Sequence, residues 1–233
     1  GGDPYNSSVI FRSHCNSFSS GFVLVDTSIY NQAGHSTGTT TIDTGSPPYG
    51  AGWLRDDAGG SSTHNGYTCG TEGVVGTQDW TIEFIVNIDS SQSRSFPQLF
   101  CMGNNSLSFW KAGAVTMHAN HPTYPNKISF WIYNYNTASA LLVSSGDIKG
   151  AGTKYIAVTR IGSDWKLFID GAVDATNTWS GSVTTLHDNR ALLGNSNETN
   201  SATKGNMDEV RETVGVGRYS GAYTVQSAEF PDS

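Results

Sequence analysis

Tyr155-Ile156-Ala157-Val158-Thr159-Arg160-Ile161-Gly162-Ser163-Asp164-Trp165-Lys166-Leu167-Phe168-Ile169-Asp170-Gly171 decides the fold class. The β-prone runs Tyr155–Arg160 and Trp165–Ile169 flank Ile161-Gly162-Ser163-Asp164, whose glycine and small polar residues suit a hairpin turn. The second run ends in Asp170-Gly171, a pair that favours a tight turn because glycine tolerates positive φ.

Period-2 alternation extends this β reading in both directions. In Trp80–Ile88, Trp80, Ile82, Phe84, Val86 and Ile88 point one way, while Thr81, Glu83 and Asn87, with Ile85 among them, point the other. That predicts a half-buried strand. In Ile128–Tyr135, Ile128, Phe130 and Ile132 share one face, and Trp131, Tyr133 and Tyr135 share the opposite one. Shorter strand candidates are Val9–Phe11, Phe22–Asp26, Leu99–Met102, Leu107–Trp110, Val115–His118, Leu141–Val143, Ala191–Leu193 and Met207–Arg211. Asn31–Tyr49 and Ala58–Thr77 are rich in Gly, Ser, Thr and Asn and read as long loops. No segment has helical periodicity beyond a turn or two, and no repeat or linker divides the chain. One domain over residues 1–233 is therefore expected.

Composition agrees. The 233 residues include 27 glycines, and only 14% are charged, which fits short strands joined by tight turns rather than a helical bundle. The formal charge of -7 and the absence of a Lys/Arg cluster exclude a generic nucleic-acid binder, which must neutralise phosphates. They also argue against membrane-surface binding through basic residues, and no apolar run reaches transmembrane length. Cys15, Cys69 and Cys101 are too few and too odd in number for a disulfide framework, so free or buried thiols are expected.

A set of short motifs then falls in order along the chain. Asp3-Pro4-Tyr5 through Val9 and Val25-Asp26-Thr27-Ser28 open it. Asp79 precedes Trp80-Thr81-Ile82-Glu83-Phe84, and the Tyr155–Gly171 hairpin follows. Leu192-Leu193-Gly194, Gly205-Asn206-Met207-Asp208-Glu209-Val210-Arg211, Gly217-Arg218-Tyr219-Ser220-Gly221 and Phe230-Pro231 complete it. Together they resemble the laminin-G-like, concanavalin A-like domains common in tailed-phage virion proteins. The resemblance implies an all-β jelly-roll sandwich of two antiparallel sheets. It also implies a structural Ca²⁺ at the sheet edge, held by Asp26 and Asp208; read from the residues alone, Asp26 starts an Asx-type turn and Asp208 hydrogen-bonds backbone amides. The chain departs from the family where Glu212 replaces an aliphatic residue. A buried carboxylate without a partner is costly, so Glu212 is expected to reach solvent or a partner.

Catalytic patterns are missing. Related sandwiches include retaining glycosidases with E-x-D-x-x-E on one strand, and no such motif occurs here. Glu83 stands alone on its strand, either solvated or holding a neighbouring strand. No G-x-S-x-G elbow appears, and the histidines His14, His35, His64, His118, His121 and His187 show no zinc spacing and read as loop residues. The aromatic row Trp131, Tyr133 and Tyr135 is either covered by the long loops, a stacking platform for sugar rings, or an anchor for a neighbouring subunit; Trp110, Tyr124 and Trp179 are further candidates for it. The expected protein is a non-enzymatic phage virion component, a capsid decoration or tail/fibre module. Its expected partners are other virion proteins and host surface glycans, and a homo-oligomer without membrane insertion is expected. The alternative is a free carbohydrate-binding lectin module of a secreted or cell-surface protein.

Overall fold

The computed structural model describes residues 2–19, 23–37, 40–57, 64–68, 71–102, 115–134, 137–183, 189–194 and 200–232. Strands in the first part of the chain are β1 (Val9–Ser13), β2 (Phe18–Ser19), β3 (Val23–Leu24), β4 (Ala33–Thr37), β5 (Thr41–Asp43), β6 (Trp53–Asp56) and β7 (His64–Thr68). There follow β8 (Trp80–Ile88), β9 (Gln98–Met102), β10 (Val115–His118), β11 (Ser129–Asn134) and β12 (Thr137–Val143). The last are β13 (Thr153–Ile161), β14 (Asp164–Ile169), β15 (Ala172–Thr178), β16 (Asn189–Leu192) and β17 (Gly205–Val214).

An eight-stranded sheet has the order β15-β14-β13-β8-β17-β6-β5, with β1 pairing β17, and a seven-stranded sheet has the order β12-β11-β10-β9-β16-β7-β4. All pairings are antiparallel, and together the sheets are the two-sheet all-β sandwich the motifs implied. The deciding hairpin forms as read. Ile161 pairs with Asp164 across Gly162-Ser163, and Gly162 has φ 60°. Asp170-Gly171 turns β14 into β15 with both residues at positive φ.

The alternating residues Trp80, Ile82, Phe84, Val86 and Ile88 enter the core between the sheets, as do Ile128, Phe130 and Ile132. Trp80 lies 6.0–6.2 Å from Phe100, Phe130 and Trp165, and Phe11 stacks on Tyr67 at 3.6 Å. Glu212 finds its partner inside this core. Its carboxylate accepts hydrogen bonds from the Tyr67 hydroxyl (2.7 Å), the Trp80 indole (2.9 Å) and Arg190 of the opposite sheet (3.2 Å). Cys15 is a buried free thiol, Cys101 is buried, and Cys69 lies outside the described residues.

Three expectations need correction. The strand Trp80–Ile88 is buried on both faces rather than half-buried, because the C-terminal tail crosses its outer side. Tyr219 donates to Glu83 (2.6 Å), Tyr219 and Tyr223 stack at 3.7 Å, and both pack on Phe168. The tail is pinned at the Asp170-Gly171 turn, where the Tyr223 amide donates to the Gly171 carbonyl (2.9 Å) and a Cβ on Gly171 would sit 2.2 Å from the Tyr223 carbonyl oxygen. Second, the expected long loops contain β4, β5 and β7, while β2, β6 and β15 were not expected at all. Third, His118, His35 and His64 lie on strands, not loops.

Candidate functional site

Strand β11 sets the site. Phe130 and Ile132 turn into the core, so Trp131 turns to the outer face of the seven-stranded sheet, beside Thr116 of β10 and Ala140 of β12. The segment after β10 folds back over that face. There the His121 ring lies 4.4 Å from Trp131, Tyr124 lies 5.9 Å from it, and Phe96 lies 5.4 Å from His121. Trp131, His121 and Tyr124 are each half-buried.

The covering segment is held from several sides. Tyr124 donates its amide to the His121 carbonyl (2.8 Å), Thr123 donates to His121 Nδ1 (3.1 Å), and Asn126 donates to Asn120 Oδ1 (2.8 Å). Asn120 donates to the Arg94 carbonyl (3.2 Å), and the Trp131 indole donates to Ser129 Oγ (2.9 Å). Beneath, the His118 ring lies 5.1 Å from that of His121, and burial, with the His121 charge second, pushes its pKa down to about 3. Burial also lowers that of His121. Both rings are therefore neutral at pH 7, and the cluster is aromatic and uncharged. Tyr133 follows on β11, while Tyr135 and Trp110 lie outside the described residues. Trp179 is elsewhere, packed on Trp165 at 6.1 Å.

The edge expected to hold Ca²⁺ is built differently. Asp26 Oδ1 accepts the Arg12 and Ser28 amides (3.0 and 2.8 Å), and Oδ2 accepts the Ser28 hydroxyl (2.9 Å) and the Gln32 amide. These donors occupy all the acceptor positions of a carboxylate, so Asp26 does not fit the ligand role and forms the Asx-type turn instead. Asp208 is fully buried. Its Oδ1 accepts the Glu209 amide (2.9 Å) and its Oδ2 meets no donor. Burial, then the Glu209 charge, pushes its pKa up to about 8.

At this point β17 slips against β8, and Glu209 takes φ 49°. Glu209 meets His14 at 2.7 Å, and the other ring nitrogen of His14 meets Asp232 at 3.0 Å. His14, Glu209 and Glu229 form a group whose ligand atoms lie within 4.8 Å of one another. The Glu209 hydrogen bond, working against burial and helped by Asp232, raises the His14 pKa to about 9. The edge thus carries a cation of its own. A histidine pKa raised from about 6.5 to about 9 gives stability that is complete below pH 6.5 and lost as pH rises through 9. Melting followed from pH 6 to 10 should show this decline, and His14→Gln should flatten it between about pH 6.5 and 9.

Three of the glutamates are buried. Glu83 is buried against Arg211 (2.9 Å) and Tyr219, which is the strand-holding role; Glu212 lies in the core; and Glu209, though near Glu229, is fully buried. No described helix is long and apolar enough to cross a membrane.

This fold has known relatives. Residues 59–212 match the family model of the concanavalin A-like lectin/glucanases superfamily, and the chain belongs to that family. No curated protein matches the sequence. Among solved structures, the chain is similar to domain 4 of AbnA, a GH43 extracellular arabinanase from Geobacillus stearothermophilus, in complex with arabinotriose. That match has TM-score 0.67 and 16% identity, over 93% of this chain and 94% of that one. It is also similar to the ligand binding domain of botulinum neurotoxin serotype D in complex with N-acetylneuraminic acid (TM-score 0.62, 12% identity, 96% of this chain, 49% of that one). The binding domain of botulinum neurotoxin DC in complex with rat synaptotagmin II gives TM-score 0.63 and 14% identity, over 98% and 50%. The chain thus spans about half the length of these toxin structures.

Proposed function

We propose that the chain is a non-catalytic glycan-binding module whose contact surface is the aromatic cluster around Trp131. The observation that carries this is a half-buried indole with an imidazole 4.4 Å away and a phenol 5.9 Å away, on an outer sheet face. The apolar C–H face of a sugar ring stacks on such rings, while the phenol and imidazole edges supply hydrogen bonds. Neighbours of the same fold solved with arabinotriose and N-acetylneuraminic acid support the ligand class. The buried state of Glu83, Glu209 and Glu212 supports binding without hydrolysis.

A glycan array followed by calorimetry tests this. Trp131→Ala should weaken binding on the order of tenfold, equivalent to about 1.4 kcal/mol. Its melt should move by much less than the about 3–5 kcal/mol of a truncated core aromatic. Undiminished binding would overturn the assignment, as would release of reducing ends from the bound glycan.

Placement on a tailed-phage virion surface, with virion proteins and host glycans as partners, rests on the motif resemblance. The second reading is a lectin module within a longer secreted or cell-surface protein. It is favoured by the arabinanase neighbour, which is one domain of an extracellular enzyme and matches along 94% of its length. Sedimentation separates them: a virion part assembles as a symmetric oligomer, and a free module sediments as a monomer that still binds sugar. The calcium reading narrows to Asp208, whose orphaned Oδ2 is the remaining vacant acceptor. If an ion enters there, EDTA lowers the melting midpoint and Asp208→Asn removes that sensitivity; a melt indifferent to EDTA rejects it.

A further inference from the structure

The C-terminal tail leaves a groove on the outer face of the eight-stranded sheet. In β14, Trp165 and Leu167 turn into the core, so Asp164 and Lys166 turn outward; in β13, Val158 turns inward, so Thr159 and Ile161 turn outward. The register sets Thr159 opposite Lys166 and Ile161 opposite Asp164. These two cross-strand pairs form the floor of a cavity of about 120 Å³, and Tyr219 and Ser220 of the tail form its wall.

Floor and wall are both fixed. Strand β14 is hydrogen-bonded on both sides, to β13 and to β15. The tail is anchored just before the groove, where the Arg218 amide donates to Thr81 Oγ1 (3.0 Å). It is anchored again at the groove, where the Tyr219 hydroxyl donates to Glu83 (2.6 Å) and the Tyr219 ring stacks on Tyr223 at 3.7 Å. Lys166 Nζ donates to the Ser220 carbonyl and so ties the floor to the wall. The groove is preformed, which removes most of the ordering cost of binding.

Its charges are balanced. Among the described residues neither Asp164 nor Lys166 takes part in an ion pair. Asp164 is exposed at the mouth, where Oδ1 accepts the Thr178 hydroxyl at 3.4 Å. The Lys166 ammonium has three N–H donors, of which Ser220 takes one. An acceptor group and a donor group thus stand two residues apart on one strand face, with about 7 Å between their Cα atoms. An ion of either sign meets one matching and one repelling head group there. Two neighbouring sugar hydroxyls match both: one donates to the carboxylate, the other accepts from the ammonium, and each bond is charge-assisted. Ile161 and the Tyr219 ring offer apolar contact to the C–H face of the same sugar. Size agrees. A cavity of about 150 Å³ holds a benzene ring, so this open groove takes one sugar ring and not the length of a chain.

The geometry points to a second carbohydrate site, which holds the vicinal diol of a single neutral sugar residue between Asp164 and Lys166. It goes beyond the glycan-binding reading of the Trp131 cluster, because the two surfaces are the outer faces of different sheets. Packed sheets lie about 10 Å apart, so the whole sandwich separates the sites and one sugar residue cannot bridge them. A chain with both sites can link two glycan strands.

Amide chemical shifts test this with four probes of unlike diol geometry: methyl α-mannopyranoside, methyl β-galactopyranoside, methyl β-glucopyranoside and methyl α-arabinofuranoside. At least one should shift the amides of Asp164, Lys166 and Ser220 in a saturable way. The same glycoside with its vicinal hydroxyls methylated should bind on the order of tenfold more weakly. Asp164→Ala and Lys166→Met should each weaken the unmethylated probe by a similar factor, and Trp131→Ala should leave these shifts unchanged. Asp164 is exposed, so Asp164→Ala decides the matter if Lys166→Met loosens the tail. No saturable shift at these amides with any of the four probes overturns the proposal, as does binding indifferent to Asp164→Ala. Serine, a zwitterion, saturating the groove where the glycosides do not overturns it as well. The glycan-array result for Trp131→Ala does not depend on these outcomes, so the two readings fail separately. An array signal that survives Trp131→Ala and is lost in Asp164→Ala would move the glycan-binding reading to this groove.

Discussion

Arg190→Ala is expected to lower stability by about 3–5 kcal/mol, the usual cost of removing one partner from a buried ion pair. Arg190 and Glu212 are both fully buried, 3.2 Å apart, and they join β16 of one sheet to β17 of the other. Arg190 also donates to the Gly73 carbonyl. Without the guanidinium, Glu212 loses this partner in a buried core, while the Tyr67 hydroxyl and the Trp80 indole still donate to it. The loss is a large share of the about 5–15 kcal/mol that holds a typical domain together. Urea unfolding should show a lower midpoint with an unchanged slope. Glu212→Gln should be comparably damaging, because it removes the buried carboxylate that faces the Arg190 guanidinium. Arg190→Met combined with Glu212→Leu should recover part of the loss, since apolar replacement of a whole buried pair is often neutral. A change under about 1 kcal/mol for Arg190→Ala would mean that water reaches the pair and that the sheets are held by apolar packing alone.

Glu212 also shows how far local pattern carries. Its need for a partner was legible, because a carboxylate had replaced an aliphatic residue in a strand. Its partner was not, because Arg190 lies on another sheet and no local rule connects them. The central strands were legible for the opposite reason. Trp80–Ile88 and Val115–His118 are bounded as the alternation drew them, since apolar residues at every second position must face a core. Strands at the edges, and β7 next to one, carry no such mark. Strand β15 is mostly exposed and polar, and β4, β5 and β7 lie in stretches of Gly, Ser, Thr and Asn that read as loops. The outward facing of Trp131 followed from Phe130 and Ile132. The approach of His121 and Phe96 depends on how two loops fold back, and the signal that was available, His118-x-x-His121-x-x-Tyr124 just before an aromatic strand, is weak. The turn role of Asp26 was open beside its metal role, and its hydrogen bonds favour the turn.

Arg211→Ala is expected to cost a similar about 3–5 kcal/mol, with an additional signature at the C-terminus. Arg211 bonds Glu83 through Nε at 2.9 Å and Asp3 through Nη1 at 3.0 Å, and the Phe230 ring lies 3.7 Å from its guanidinium carbon. Arg218 grips the same Asp3 at 2.8 and 3.0 Å, and Tyr219 grips the same Glu83. One guanidinium thus ties the N-terminal segment, β8 and both ends of the tail to the outer face of the eight-stranded sheet. Its removal leaves Glu83 buried with the Tyr219 hydroxyl and a more distant Arg218 at 3.6 Å. The tail should then detach before the sandwich unfolds. Amides of residues 216–232 should lose hydrogen-exchange protection, and proteases should cut there, under conditions where β8 and β17 stay protected. Arg211→Lys keeps the charge but cannot reach Glu83 and Asp3 as a planar fork, so it should restore only part of the stability. Because the network is buried, added salt should change the wild-type melt little. Tail protection that survives Arg211→Ala would show that the stacked pair Tyr219–Tyr223 on Phe168, rather than the ion network, holds the tail in place.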